Sequence, residues 1–410
     1  MNRVNTRKLL KFDGKRVLFA IFALVVSATS FAQIGTAKEF MWDNVKRDYI
    51  EYVPQSYNAE QPTAVVFMLH GLRDSMEYKL ELSGLLPYAD QYGWILVVPE
   101  ALKASIALMG QEIEIGTMWN AGMNISVAGL TLSPNSTVDD CGFLTALLDS
   151  VKANYNIHPD SVFFSGVSMG GFMCQRMAIE HADKISAVAS VSGTIANGIS
   201  SQTPIANVDI MHIHGTGDSV VTYSGADFSF APFGSFNIGL SAEATVDYWV
   251  NFNQCAETPI NYMYHNVKDD GMIFERYDYA GTATNSRVAF VKVVNGQHDW
   301  YANDEMYDIN YAEEIQKFFR GERPSGNVGI QAEPAVSCAV YPNPASSVLN
   351  IISEQTIDRV EVYNICGTLV GETMPNAGTV AMSVAGYNSG VYLVRIHTQG
   401  GVATKKLMVK

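Results

Sequence analysis

Short apolar runs alternate with helix-period patterns from about Phe40 to Arg320. The stretches "AVVFMLHG", "WILVVPE", "SVFFSG", "ISAVASVSG", "VDIMHIHGTGD" and "RVAFVKVVNG" read as strands. Their apolar positions are continuous rather than alternating, which suits a parallel sheet covered on both faces. Between them, "CGFLTALLDSVKANYN" carries Phe143, Leu144, Leu147, Leu148 and Val151 at helical spacing. "GGFMCQRMAIEH", "EATVDYWVNF" and "YAEEIQKFF" read as further helices. Strand and helix in alternation predict an α/β domain with a mostly parallel sheet flanked by helices.

The pattern changes after residue 322. "RGERPSGNVGIQAEPAVS" is rich in Gly, Pro, Ser and charge and reads as a linker. Beyond it, the short alternating runs "VLNIIS", "RVEVYNICG", "VAMSV" and "GVYLVRIHT" are separated by Gly, Asn and Pro, which predicts a small all-β sandwich. At the other end, Arg3, Arg7, Lys8, Lys11, Lys15 and Arg16 precede the apolar stretch "VLFAIFALVV" and the small residues of "SATSFAQ". That order is the signature of an export signal cleaved after Ala32. The apolar run is short against the roughly 20 residues a spanning helix needs. The expected organisation is a signal peptide over 1–32, an α/β domain over 33–322, a linker over 323–337 and a β-sandwich over 338–410.

Composition narrows the function classes. The chain has 410 residues, 48 % of them hydrophobic and 17 % charged, which is globular rather than disordered. A formal charge of −14 with no basic block argues against nucleic acid or an anionic membrane as partner, and no later segment is long and apolar enough to span a membrane. The mature chain is therefore expected to be soluble and exported. The cysteines are Cys141, Cys174, Cys255, Cys338 and Cys366, with no CxxC spacing. Export permits disulfides, so Cys141 with Cys174 is one candidate pair, and buried free thiols are the other reading.

The chemistry centres on "FFSGVSMGGFMCQRMAIEH". Gly166, Val167, Ser168, Met169 and Gly170 follow an apolar strand and open a helix. A serine hydroxyl is a poor nucleophile until a base takes its proton, an acid orients the base and donors hold the oxyanion. The G-x-S-x-G turn exposes the hydroxyl at the end of a sheet, and its partners then follow in the order acid, base. Asp218, in the glycine turn of "HIHGTGDSVVTY" just after a strand, is the expected acid, with Asp227 and Asp247 as competitors. His298, in "VVNGQHDWY" at another strand end, is the expected base, and His265 competes from an ordinary half-exposed strand. The Met169 amide and the Leu72 amide, the latter in "FMLHGLRD", are the expected oxyanion donors. His70 reads as structural support of that turn. His212 and His214 form an H-x-H pair without a nearby third ligand, so no metal and no other cofactor is expected.

These segments together resemble a known group. "VVFMLHGLRD", "VDDCGFLTALLDSV", "VFFSGVSMGGFMCQRMA", "HIHGTGDSVVTYSG", "YWVNFNQC" and "VNGQHDWY" are similar to the secreted α/β-hydrolase esterases of the polyhydroxybutyrate depolymerase-like group. That group includes feruloyl and acetylxylan esterases. The resemblance covers most of residues 45–320 and implies an α/β-hydrolase fold with Ser168, Asp218 and His298 as a triad. It also implies that "TMWNAGM", with Trp119, lines the substrate cleft. Trp300 is a second candidate aromatic platform for a phenolic acyl group or a sugar. The group carries a glycine and a proline where this chain has Gln297 and Tyr301. "AVYPNPASSVLNI", "VEVYNICGTLV" and "YNSGVYLVRIHTQGGVATKKLMVK" resemble the C-terminal sorting domain of type IX secretion in Bacteroidetes. It implies that residues 338–410 engage that machinery and carry the chain across the outer membrane, to be released or held at the surface.

The expected activity is that of a secreted serine carboxyl-ester hydrolase on polymer-linked esters, with feruloyl or acetyl groups of plant xylan foremost and a polyhydroxybutyrate-type polyester next. Two other readings stand beside it. "GVSMGG" also resembles serine peptidases of the prolyl-oligopeptidase type, although those carry a large extra domain before the serine. A non-catalytic surface protein that only binds glycan is the alternative of another class.

Overall fold

The computed structural model describes residues 35–108, 111–127, 130–230, 234–268, 270–302, 305–322, 338–364, 369–398 and 401–410. The expected export signal, the linker and Cys366 lie outside the described residues. In chain order the first body comprises β1 (Thr36–Trp42), β2 (Val45–Tyr52), β3 (Thr63–Leu69), α1 (Met76–Leu82), α2 (Leu86–Tyr92) and β4 (Ile95–Pro99). Two hairpins follow, β5 (Lys103–Leu108) with β6 (Gln111–Thr117) and β7 (Ile125–Val127) with β8 (Leu130–Leu132). Then come α3 (Asp140–Asn154), β9 (Ile157–Val167), α4 (Met169–Glu180), β10 (Ala187–Val191) and β11 (Asp209–Gly215). The hairpin β12 (Asp227–Phe230) and β13 (Gly234–Asn237) precedes α5 (Ala242–Phe252), β14 (Ile260–Met263), β15 (Ile273–Ala280), β16 (Arg287–Val294) and α6 (Tyr311–Phe319).

A ten-stranded sheet runs in the order β1-β2-β4-β3-β9-β10-β11-β16-β15-β14. From β4 to β16 every neighbouring pair is parallel, and the strands at both edges are antiparallel. The continuous apolar runs are explained by two cores. Along β3, Val65, Phe67 and Leu69 enter the core built with α3, α4 and α5. Ala64, Val66 and Met68 enter the opposite core, built with α1, α2 and α6. Both faces of the strand are therefore apolar, as a doubly covered parallel sheet requires. Local signals place the helix starts: side chains of Asp139, Ser241 and Asn310 cap α3, α5 and α6 by accepting from the first-turn amides. This is an α/β-hydrolase arrangement, with the ends of β3, β9, β11 and β16 on one side of the sheet.

The second body is all β: β17 (Cys338–Tyr341), β18 (Val348–Asn364), β19 (Leu369–Thr373), β20 (Ala377–Ser383), β21 (Gly390–Thr398) and β22 (Gly401–Val409). The runs "VLNIIS" and "RVEVYN" are one long strand rather than two. The first half of β18 pairs with β17 and β20 and the second with β19 and β21, with register shifts between Ile352 and Arg359. Leu349, Ile351, Val360 and Val362 from both halves point into one core with Val394, Ile396 and Leu407. The four described cysteines, Cys141, Cys174, Cys255 and Cys338, are free, so the candidate Cys141–Cys174 disulfide is not formed. Among the described residues no helix is long and apolar enough to cross a membrane.

Candidate active site

Ser168 sits between β9 and α4 at φ 54° and ψ −121°, a left-handed conformation that a side chain adopts only under constraint. It occupies the N-cap position of α4, yet its side chain makes no capping hydrogen bond. A capping role is thereby set aside, and the hydroxyl is left for other chemistry. The flanking glycines are needed for contact, not flexibility. A Cβ on Gly166 would lie 2.2 Å from the Gly170 carbonyl oxygen, and one on Gly170 would lie 2.1 Å from that of Leu69. The turn is thus pressed against the end of β3.

Asp218 and His298 arrive from the ends of β11 and β16. Thr216 and Gly217 donate backbone bonds to Val293 and Gly296, and a Cβ on Gly215 would lie 2.2 Å from the Gly296 carbonyl oxygen. Only glycine lets the two loops come this close. Asp218 Oδ2 accepts from His298 Nδ1 at 2.7 Å, and its Oδ1 accepts from the Val220 and Val221 amides at 2.9 and 2.8 Å. Burial alone would raise the Asp218 pKa, but the hydrogen bond and charge of His298 outweigh it and hold the carboxyl below its ordinary value. His214 lies 3.5 Å from the same oxygen, but its Nε2 faces the Val221 carbonyl at 2.9 Å and burial keeps its pKa low. His298 is therefore the partner that Asp218 orients. The competitors fall away: His265 is exposed beyond β14, Asp227 opens β12 and Asp247 lies on α5.

Ser168 and His298 line one cleft of about 290 Å³ with Gly71, Leu72, Asp74, Tyr78 and Trp300. No hydrogen bond joins the Ser168 hydroxyl to His298 Nε2 among the described residues. Catalytic hydrogen bonds of this kind commonly tighten only with substrate bound.

The expected oxyanion donors are placed beside the serine. A Cβ on Gly71 would lie 3.5 Å from the Ser168 Cβ, so the turn after β3 rests on Ser168. Neither the Leu72 nor the Met169 amide has an acceptor among the described residues. His70 explains how Leu72 is held. Its Nε2 accepts from the Ala101 amide at 3.0 Å, so the proton is on Nδ1, which donates to the Gly71 carbonyl at 2.7 Å. In a trans peptide the carbonyl and the next N–H point in opposite directions. The Gly71 oxygen is held by His70 Nδ1 and, at 3.3 Å, by the Asp74 amide, so the Leu72 N–H is fixed in the opposite direction. Burial lowers the His70 pKa to about 4, which keeps the ring neutral.

Two aromatic expectations divide. Trp119 has no exposed surface; its indole N–H donates to the His70 carbonyl at 3.0 Å and its ring packs 5.3 Å from the imidazole. The expectation that it lines the substrate cleft is corrected: the apolar ring is better satisfied in the core, where it supports the turn after β3 through His70. Trp300 does reach the cleft wall, though only 5 % exposed, with the buried Lys79 ammonium 3.7 Å over its ring. Burial lowers the Lys79 pKa to about 7. Gln297 and Tyr301, where the chain departs from the resembled pattern, are partners of each other. The Gln297 amide donates to the Tyr301 hydroxyl at 2.8 Å and closes the His298 loop. Sequence reasoning missed Asp74, Tyr78 and Lys79. Their one signal is position, since "RDSMEYK" follows the oxyanion turn directly.

His212 and His214 are both buried, with ring nitrogens 3.4 Å apart. A different group, Cys141, Glu180 and His181, brings three ligand-type atoms together, but Arg176 already pairs with Glu180 at 3.0 Å within it. No metal site is assigned.

Residues 55–229 match the phospholipase/carboxylesterase family model, and residues 339–410 match the secretion system C-terminal sorting domain. The chain is 28 % identical over 178 residues to a bifunctional acetylxylan esterase/xylanase of Neocallimastix patriciarum, covering 43 % of this chain and 22 % of that protein. It is 28 % identical over 181 residues to feruloyl esterase D of Neurospora crassa, covering 43 % and 54 %. Less than two thirds of either relative is thus spanned. A solved acetyl xylan esterase from Aspergillus awamori aligns at a TM-score of 0.46 and 12 % identity over 70 % of this chain and 99 % of that one. The resemblance read from the motifs, an α/β-hydrolase esterase followed by a sorting tail, holds.

Proposed function

We propose that this chain is an exported serine carboxyl-ester hydrolase whose nucleophile, base and acid are Ser168, His298 and Asp218. The observation that carries the reading is the Asp218–His298 hydrogen bond, formed in the same cleft as a serine held at positive φ with its hydroxyl unspent. His298 Nε2 takes the Ser168 proton as Oγ attacks the ester carbonyl, and the Leu72 and Met169 amides hold the oxyanion. His298 then protonates the leaving alcohol. Water repeats the sequence on the acyl-enzyme, and Asp218 holds the imidazole and offsets its charge throughout. No step calls for a metal or an organic cofactor. The substrates are polymer-linked esters, with feruloyl or acetyl groups of plant xylan in first place. The matches to acetylxylan and feruloyl esterases support that class, and the sorting-domain match supports delivery across the outer membrane by type IX secretion.

The test is a substrate panel of methyl ferulate, acetylated xylan, polyhydroxybutyrate and a proline anilide, run with wild type and Ser168→Ala. We expect ester cleavage by wild type and a loss of at least about a thousandfold in the variant. Equal rates in both proteins would remove the mechanism. Turnover of the anilide with no ester cleaved would replace it with peptidase chemistry.

A further inference from the structure

Two hollows meet at the oxyanion turn. One is the cleft described above. The other is an apolar cavity of about 40 Å³ walled by Ile115, Met118, Met123, Met169 and Ile238. Leu72 and Phe228 belong to the walls of both, so the two hollows lie side by side and these two side chains stand between them. Met169 contributes an oxyanion amide and a wall of the cavity at once. Among the described residues no polar atom is exposed on the cavity surface.

The chemistry decides which part of an ester goes where. His298 must reach the leaving oxygen, so the alcohol lies on the His298 side. There it meets Asp74, Tyr78, Asp299 and Trp300, a wall with the polar groups and aromatic surface that suit a sugar. The carbonyl oxygen is held between Leu72 and Met169. The acyl chain then projects away from His298, past Leu72, into the apolar cavity.

Resting on the esterase reading above, the geometry points to a short, unsubstituted aliphatic acyl group as the acyl substrate, in preference to hydroxycinnamoyl or 3-hydroxyacyl groups. Size is the first reason. A water-sized unit needs about 10–15 Å³ on this scale, so the cavity holds roughly three, enough for an acetyl to butyryl chain and too little for a substituted phenyl ring. Polarity is the second. A phenolic or aliphatic hydroxyl buried against these walls finds neither donor nor acceptor, and an unpaired buried hydroxyl is penalised. The three methionines can shift to follow a chain of slightly different length, but they cannot supply a hydrogen bond of useful strength. Feruloyl, acetyl and polyester substrates are therefore not equivalent for this cavity, and acetyl is the one it fits.

The experiment keeps the alcohol constant. The full chain is assayed on p-nitrophenyl acetate, butyrate, 3-hydroxybutyrate, octanoate and ferulate, with Ser168→Ala as the control. Acetate and butyrate are expected to exceed ferulate in kcat/KM by about a hundredfold or more, and butyrate to exceed its 3-hydroxy analogue by about tenfold or more. Widening the cavity with Ile238→Ala is expected to raise octanoate relative to acetate. Should that variant fold poorly, the wild-type series alone still decides. Ferulate at or above acetate, or 3-hydroxybutyrate equal to butyrate, would overturn the acyl assignment and leave the esterase reading intact. No ester turned over, or turnover undiminished in Ser168→Ala, would overturn the esterase reading itself.

Discussion

The His70 imidazole reaches no substrate, yet it fixes the peptide that presents the Leu72 amide. Both of its nitrogens are engaged, one by the Ala101 amide and one by the Gly71 carbonyl, and its own carbonyl is held by the Trp119 indole. Removing the ring leaves the Gly71 carbonyl held only by the longer 3.3 Å bond from the Asp74 amide, so the peptide can tilt and carry the Leu72 N–H out of line with the place where negative charge would develop. That loss falls on the transition state more than on the bound ester. His70→Ala is expected to lower kcat by about ten- to a hundredfold with little change in KM. A rise in KM at constant kcat would show instead that the turn serves substrate binding. The same residue carries a stability signature. Its folded-state pKa, about 4, lies below the ordinary value of 6.5, so the unfolded chain takes up a proton that the folded chain refuses. The contribution of His70 is whole above pH 6.5 and is lost as pH falls toward 4. The difference in urea midpoint between wild type and His70→Ala should shrink over that window.

At the scale of elements, what sets the site is how closely α4 approaches the end of β3. A methyl group on Gly170 would meet the Leu69 and His70 carbonyl oxygens at 2.1 and 2.7 Å, both backbone atoms of the strand that leads into the oxyanion turn. Neither element can yield without moving Ser168 relative to the turn that follows β3. Gly170→Ala is expected to cost roughly 1–3 kcal/mol or more in chemical denaturation, and to depress kcat in the protein that still folds. Near-normal stability with normal turnover would contradict the close approach. The sequence made this junction legible because a strand, a G-x-S-x-G turn and a helix follow one another in it. The parallel strands were legible too, since burial on both faces leaves an unbroken apolar run. The hairpins between Lys103 and Leu132 were not, because short strands of mixed polarity over a cleft carry no clear period. Nor was the unity of β18, where Glu354, Gln355 and Thr356 interrupt the apolar pattern while the backbone continues. Tryptophan on a cleft-like segment did not reveal that Trp119 is buried. A lysine on a short helix gave no hint that Lys79 lies under Trp300, because lysine is rarely found without water.

Over the whole molecule the chain divides its apolar residues into cores with no member in common. Those on the two faces of the large sheet draw on residues between Tyr49 and Phe319, and that of the all-β body on residues between Ala345 and Val409. Every residue assigned to the triad, the oxyanion donors and the acyl cavity belongs to the first body. Each body thus has the means to fold alone, and the chemistry asks nothing of the second. Residues 339–410 match a sorting domain, so what they should control is where the enzyme goes. A chain ended after Glu322 is expected to hydrolyse p-nitrophenyl acetate within about twofold of the full chain, the margin usual for sites that share no contacts. Expressed in a host that runs type IX secretion, the full chain should reach the cell surface or the medium, while the shortened one stays behind the outer membrane. The two measurements separate cleanly: a large loss of turnover on truncation would mean that the tail completes the site, and undiminished export without it would mean that delivery is encoded elsewhere.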